Sequence, residues 1–187
     1  MPRWEPDAGE RLRSVALDLF LEHGYDAVSV EQIAERAGLT RRTFFRHYAD
    51  KRDVLFAGSE QLPELVRRSV ADADPGLAPF AAAVEGLSRV GEVLAELAYR
   101  STDRRKVIAS SAELRERERT KLAAVAEALT GALADRGCDQ ARATLLGELG
   151  AVVLRTALDS WLDDPAATSL AAHVRRTATD LVDAVAP

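Results

Sequence analysis

Apolar residues along this chain recur at helical spacing and almost never alternate. Leu12, Val15, Ala16, Leu19 and Phe20 fall at i, i+3, i+4, i+7 and i+8, the buried stripe of an amphipathic helix. His23-Gly24-Tyr25 ends that helix. Ser29 then reads as an N-cap, with Gln32 three residues on as the other half of a capping box. Ile33 and Ala37 share the next helical face, and Gly38 supplies an exit that a residue with a Cβ would resist. Thr40 caps a further short helix carrying Arg41, Arg42, Thr43, Phe44, Phe45, Arg46 and His47. Two short helices joined by a glycine turn make a helix-turn-helix, with the second helix in the recognition position.

The remaining helices are longer. One starts after Asp50, a cap, and carries Val54, Leu55, Leu62, Leu65, Val66 and Val70 towards the Ala73-Asp74-Pro75-Gly76 break. Pro63 inside it predicts a kink or interruption near Ser59 to Pro63. The next comes after Pro79, with Phe80, Val84, Leu87, Gly91, Leu94 and Ala98 on one face. After a short segment around Asp103 to Ala109, Ser110 and Glu113 read as a second capping box. They open a long helix through Leu114, Leu122, Val125, Leu129 and Leu133 to Gly137. Another runs from about Asp139 to Leu162, and Asp164 caps the last, with Pro165 at its first position. Strand signals are nearly absent. The pattern predicts an all-α fold of about nine helices: a three-helix DNA-binding unit over 1–50 and a helical domain over 51–187.

Charge sharpens this picture locally. The chain has formal net charge −5, which argues against a general nucleic-acid coat protein. From Arg36 to Arg52, however, Arg36, Arg41, Arg42, Arg46, Lys51 and Arg52 face Asp50 alone. Basic charge confined to one element suits a protein that touches a duplex with one edge. Elsewhere the chemistry is sparse. Cys138 is the only cysteine, which excludes an intrachain disulfide. The histidines are scattered, no Gly-rich phosphate loop succeeds a strand, and the alternating Glu113 to Arg119 run reads as a solvated face. We expect no catalytic residue, no metal and no cofactor. Without a long apolar run or a signal-peptide pattern, a cytoplasmic protein with no membrane partner is expected.

The helix-1 stripe, His23-Gly24-Tyr25, Val28-Ser29-Val30, the Ile33-Ala34-Ala37-Gly38 spacing and Thr43-Phe44-Phe45-Arg46-His47-Tyr48 with Lys51 together resemble the tetracycline-repressor (TetR) family. The resemblance covers about residues 10–56. It implies that the N-terminal unit binds double-stranded DNA, while a divergent helical domain dimerises and binds a small molecule. It also implies phosphate contacts for His47 and Lys51. Lys51 further falls at a helix start, where free N–H groups favour a phosphate. Where the family usually has a tyrosine whose hydroxyl contacts a phosphate, this chain has Phe45. That contact cannot be carried over, and its ring packs either on the DNA backbone or in the core.

The expected DNA-binding set is Ser29, Thr40, Arg41, Arg42, Thr43, Phe45, Arg46, His47 and Lys51. Thr40 to Thr43 occupy the turn that faces base edges, and Arg41 or Arg42 could pair bidentately with guanine O6 and N7. The Leu145–Trp161 helix and its successor, with Gly147, Gly150, Ala151 and Ala157 allowing close approach, read as a dimer interface. Phe80, Val84, Leu87, Leu94, Leu97, Val125 and Leu129 can enclose an effector of unknown identity, with Arg89, Tyr99, Arg100 and Trp161 as unranked polar candidates. The function expected is a ligand-responsive repressor that binds a palindromic operator as a homodimer. The alternatives are an activator or architectural DNA-binding protein, and an all-helical binding or enzymatic protein whose helix-turn-helix is structural only.

Overall fold

Local devices end each helix near the N-terminus. A computed structural model describes residues 7–96, 100–163 and 168–186. Helix α1 (Ala8–His23) closes on Gly24, whose φ of +83° needs glycine. Helix α2 (Val30–Arg36) opens on the expected capping box: Gln32 N–H donates to Ser29 Oγ, and Ser29 N–H to Gln32 Oε1. It closes in a Schellman turn, with Gly38 N–H donating to Glu35 O and Leu39 N–H to Ala34 O. Helix α3 (Arg41–His47) is capped by Thr40, which accepts from Thr43 N–H at 3.1 Å.

Asp50, expected to cap the next helix, lies two residues before its N-cap Arg52 and instead ties the turn ahead of it, accepting from Arg52 N–H at 2.7 Å and Asp53 N–H at 3.0 Å. The expected long fourth helix is two pieces, α4 (Asp53–Phe56) and α5 (Leu62–Ala71), separated by a 3₁₀ turn at Ser59–Gln61. The interruption lies where the sequence predicts it, before Pro63 rather than at it. Pro63 sits in the first turn of α5, where the missing N–H has no intrahelical partner to lose.

Beyond lie α6 (Pro79–Glu96), α7 (Ser101–Ser110), α8 (Ala112–Asp135), α9 (Gln140–Asp163) and α10 (Leu170–Val185). The described residues thus hold ten α-helices and no strand. Ser110 makes no capping box: it ends α7, its hydroxyl donating back to Val107 O. The last helix is capped by Ser169 rather than Asp164; Asp164 and Pro165, like Leu97, Ala98 and Tyr99, lie outside the described residues.

Two compact units result, Met1–Glu60 with Arg100–Glu118, and Gln61–Tyr99 with Arg119–Pro187. The first has an aromatic-rich core of Phe20, Tyr25, Phe44, Tyr48 and Phe56 around Leu12 and Ile33, to which Val107, Ile108 and Leu114 belong. Arg104 joins its pieces, its guanidinium donating to Leu55 O and Glu118 and lying 5.0 Å from the Phe56 ring centre.

The second unit is aliphatic. Gly86 and Gly147 are points where its helices meet: a Cβ on Gly86 would stand 2.9 Å from Val70 Cα, and one on Gly147 2.6 Å from Ala126 O. The small residues of α9 therefore serve the unit's own core and not an interface between copies, as Ala157 at 0% exposure and Ala151 at 7% also attest. Leu87, Val125 and Leu129, expected to line a pocket, are completely buried in that core.

Candidate nucleic-acid interface

Phe44 decides how α3 presents itself. Completely buried, it turns one side of the helix into the core, so that Arg41, Arg42, Phe45, Arg46 and His47 are exposed. Phe45 is 45% exposed, edge-on to Phe44, which answers its open role: it is not a core residue. Thr40 and Thr43 engage one another, their hydroxyls 3.0 Å apart. Ser29 is exposed at the start of α2, with its hydroxyl committed to the cap.

The basic run proves less free than its composition suggests. Arg36 makes two 2.8 Å hydrogen bonds to Glu22. Arg52 is held by Asp50 and by Glu113, 3.1 Å away. Arg41 Nε lies 2.9 Å from Glu31 Oε1 on α2, and its guanidinium sits 5.3 Å from the Phe45 ring centre. Among the described residues, Arg42 and Arg46 are the arginines of this stretch with no carboxylate partner; Arg46 Nη2 lies 3.5 Å from His47 Nε2. Every carboxylate that pairs with Arg36 or Arg41 lies before Arg36 in the chain. A window drawn from Arg36 to Arg52 could not reveal it.

Lys51, expected to meet a phosphate, is engaged within its own unit. Its ammonium donates to Tyr25 O at 2.8 Å and Val28 O at 2.9 Å, 4.1 Å from the Tyr25 ring centre. Burial pushes this ammonium below the ordinary lysine range, and burial likewise pushes the Tyr25 phenol well above its own. The free N–H groups expected beside it are also taken, since Asp50 already accepts from Arg52 and Asp53. The Asp50 carboxyl sits below its ordinary value: burial raises it, but hydrogen bonds from Arg52 and from the Asp53 and Arg52 backbone outweigh that. Lys51 thus staples the turn between α1 and α2. Tyr48 fastens α3 to α1 similarly, its buried hydroxyl donating to Gly9 O at 2.8 Å.

In the second unit, Leu145 (59% exposed) and Val152 (43%) lie two turns apart on one face of α9, and Val182 (48%) and Val185 (73%) are exposed on α10. Val153, expected at an interface, is 1% exposed and belongs to the core. Arg89 pairs with Glu85 and Asp72 O, and Trp161 donates to Thr168 O, so both are engaged locally. In the first unit, Arg100 is bound to Asp18 and Asp103. A cavity of about 350 Å³ opens among Pro75, Pro79, Leu133, Arg136, Cys138 and Arg142. None of the expected effector residues lines it. Cys138 packs against the core just past the Gly137 turn that ends α8. No described helix is long and apolar enough to cross a membrane.

Comparison with known proteins agrees with this geometry. Residues 12–57 match the family described as bacterial regulatory proteins, tetR family. The HTH-type transcriptional regulator TcmR of Streptomyces glaucescens is 51% identical over 45 residues, 24% of this chain and 20% of TcmR. The matched stretch spans about a fifth of the length of the curated relatives. Over nearly the whole chain the fold is that of two solved structures. One is SmeT of Stenotrophomonas maltophilia in complex with triclosan, with TM-score 0.65, 18% identity, and coverage of 95% of this chain and 90% of that one. The other is FadR from Bacillus subtilis in complex with stearoyl-CoA, with TM-score 0.61, 19% identity, and coverage of 95% and 99%.

Proposed function

We propose that this chain, a member of the tetR family of bacterial regulatory proteins, is a cytoplasmic transcriptional repressor that binds a pseudo-palindromic operator as a homodimer and leaves it when a small molecule binds. The observation that carries the reading is the exposed face of α3. Four basic or hydrogen-bonding side chains, Arg41, Arg42, Arg46 and His47, project from a helix whose opposite side is locked in the core by Phe44. A recognition helix presented in this way fits the major groove. In this reading the turn from Thr40 to Thr43 enters the groove, with Arg41 or Arg42 on a base edge, and Ser29, Arg46 and His47 meet the backbone. Lys51 orders the turn beneath them.

Dimerisation is supported by the exposed Leu145, Val152, Val182 and Val185, apolar side chains on consecutive helices. The effector belongs to the second unit. Phe80, Val84 and Leu94 are partly exposed on α6 against its core, and they can take up an apolar molecule without opening Leu87 or Leu129 to water. SmeT and FadR are each seen with an apolar or acyl ligand, which favours the same class for this chain.

Footprinting on the DNA flanking the chain's own gene tests the reading. The expected result is protection of two half-sites about one helical turn apart, or a modest multiple, with affinity falling steeply as salt rises. Full affinity for a single asymmetric half-site, or binding indifferent to salt, would count against it.

A further inference from the structure

The two adjacent arginines at the start of α3 are not equivalent. Arg41 lies between an acid and a ring: its Nε edge is 2.9 Å from Glu31 Oε1, and its guanidinium is 5.3 Å from the Phe45 ring centre. Arg42 has neither neighbour among the described residues, although it lies in the same helical turn. Building on the DNA-binding reading above, we propose that Glu31 and Phe45 are positioning residues that make Arg41 a reader of guanine and leave Arg42 to hold phosphate.

Charge and geometry separate the two side chains. A guanidinium offers five N–H donors in a rigid fork. With Glu31 against its Nε, Arg41 keeps its Nη1 and Nη2 donors, which have no hydrogen-bond partner among the described residues, and that pair matches guanine O6 and N7. The carboxylate also repels a second anion. A phosphate approaching Arg41 meets the field of Glu31, whereas the major-groove edge of guanine is neutral and suffers no such opposition. Glu31 is ionised for this purpose: hydrogen bonds from its own backbone N–H and from the Ser29 hydroxyl hold its carboxyl below the ordinary range, with Arg41 contributing less. Phe45, one turn along from Arg41, limits the swing of the arginine by its ring face. Each contact is exposed and weak alone, with Arg41 66% and Glu31 58% accessible. Their joint effect is on orientation rather than on stability. The absence of a hydroxyl on Phe45 fits: the ring serves Arg41 instead of a phosphate.

Selection of preferred duplexes from a random library, with salt titrations alongside, tests this. Arg41→Ala should erase the preference for guanine at one position in each half-site. Glu31→Gln and Phe45→Leu should each weaken that same preference on the order of tenfold, with helix content unchanged by circular dichroism. Phe45→Tyr, which keeps the ring, should retain it. Glu31→Gln should also bind non-specific duplex more tightly, with a salt slope steeper by about 0.9 per half-site, because Arg41 is then free to take a phosphate. A merely structural role for Glu31 would not tighten non-specific binding. Glu31→Gln with full guanine preference, or Arg41→Ala with an unaltered motif, overturns the proposal. A wild-type protein that enriches no sequence overturns the DNA-binding reading beneath it as well.

Discussion

The two units of this chain are held by different means. In the first, helices of four and seven residues are too short to persist in isolation, and several of their ends are tied by a named polar contact besides the core they pack on. Ser29 and Gln32, Thr40 and Thr43, Asp50 and Asp53, Lys51 with two carbonyls, and Tyr48 with Gly9 are such ties. In the second, helices of up to 24 residues meet through side-chain shape, and glycines set how closely they approach. If the first unit reads DNA as proposed, it must hold a few side chains in one geometry, which directional hydrogen bonds achieve.

The largest effect should come from the outer face of the second unit. Leu145→Glu with Val152→Glu adds charge at two exposed apolar positions without entering the core. Sedimentation should report monomers that keep wild-type helix content. Operator affinity should drop on the order of a hundredfold or more, as two linked half-site contacts become one. A dimer that survives both changes would place the interface elsewhere.

Next in size is a pair of glycine substitutions that separates close approach from mere flexibility. Gly86→Ala on α6 would set its Cβ 2.9 Å from the Val70 backbone of α5, so it should destabilise the second unit by about 1–3 kcal/mol. Gly131→Ala on α8 meets nothing within 4 Å and should stabilise by about 0.4–1 kcal/mol, since it only removes unfolded-state freedom. Thermal unfolding measures both. If both variants melt higher, the α5–α6 approach is not what limits the packing.

The same contrast explains which features were legible in the sequence. The capping box at Ser29, the turn at Gly38 and the cap at Thr40 are local, three or four residues wide, and each forms as the sequence predicts. Helix existence in the second unit was equally readable from its apolar stripes. The partners of those stripes were not. Leu145 and Val153 look alike in the pattern, yet one is 59% and the other 1% exposed. Gly147 reads as a dimer contact and is a contact with Thr130 of the same unit. Long-range polar pairs were hidden for a similar reason. Nothing near Arg36 announces Glu22, and nothing near Arg104 announces Leu55 O; both depend on the fold being already made. The membership of Arg100–Glu118 in the first unit is of this kind, resting on Val107, Ile108 and Leu114 in its core.

The effect that tests the contrast most directly concerns Lys51. If polar ties shape the first unit, the ammonium on Tyr25 O and Val28 O is one of them, and removing it costs stability. Lys51→Met keeps an apolar stem of similar length over the Tyr25 ring but deletes both hydrogen bonds. It should lower the stability of the unit by about 1.5–3 kcal/mol, the range for a hydrogen bond to a charged group. Operator affinity should fall only as far as the turn carrying Ser29 loosens, so the dependence of log affinity on log salt should keep its slope. A phosphate-bound lysine would behave in the opposite way, leaving the melting temperature unchanged while the slope falls by about 0.9 per half-site. Melting curves and salt titrations on the one variant separate the two. A shallower slope with undiminished stability would return Lys51 to the DNA, and would make the first unit less dependent on its polar ties than the second is on its glycines.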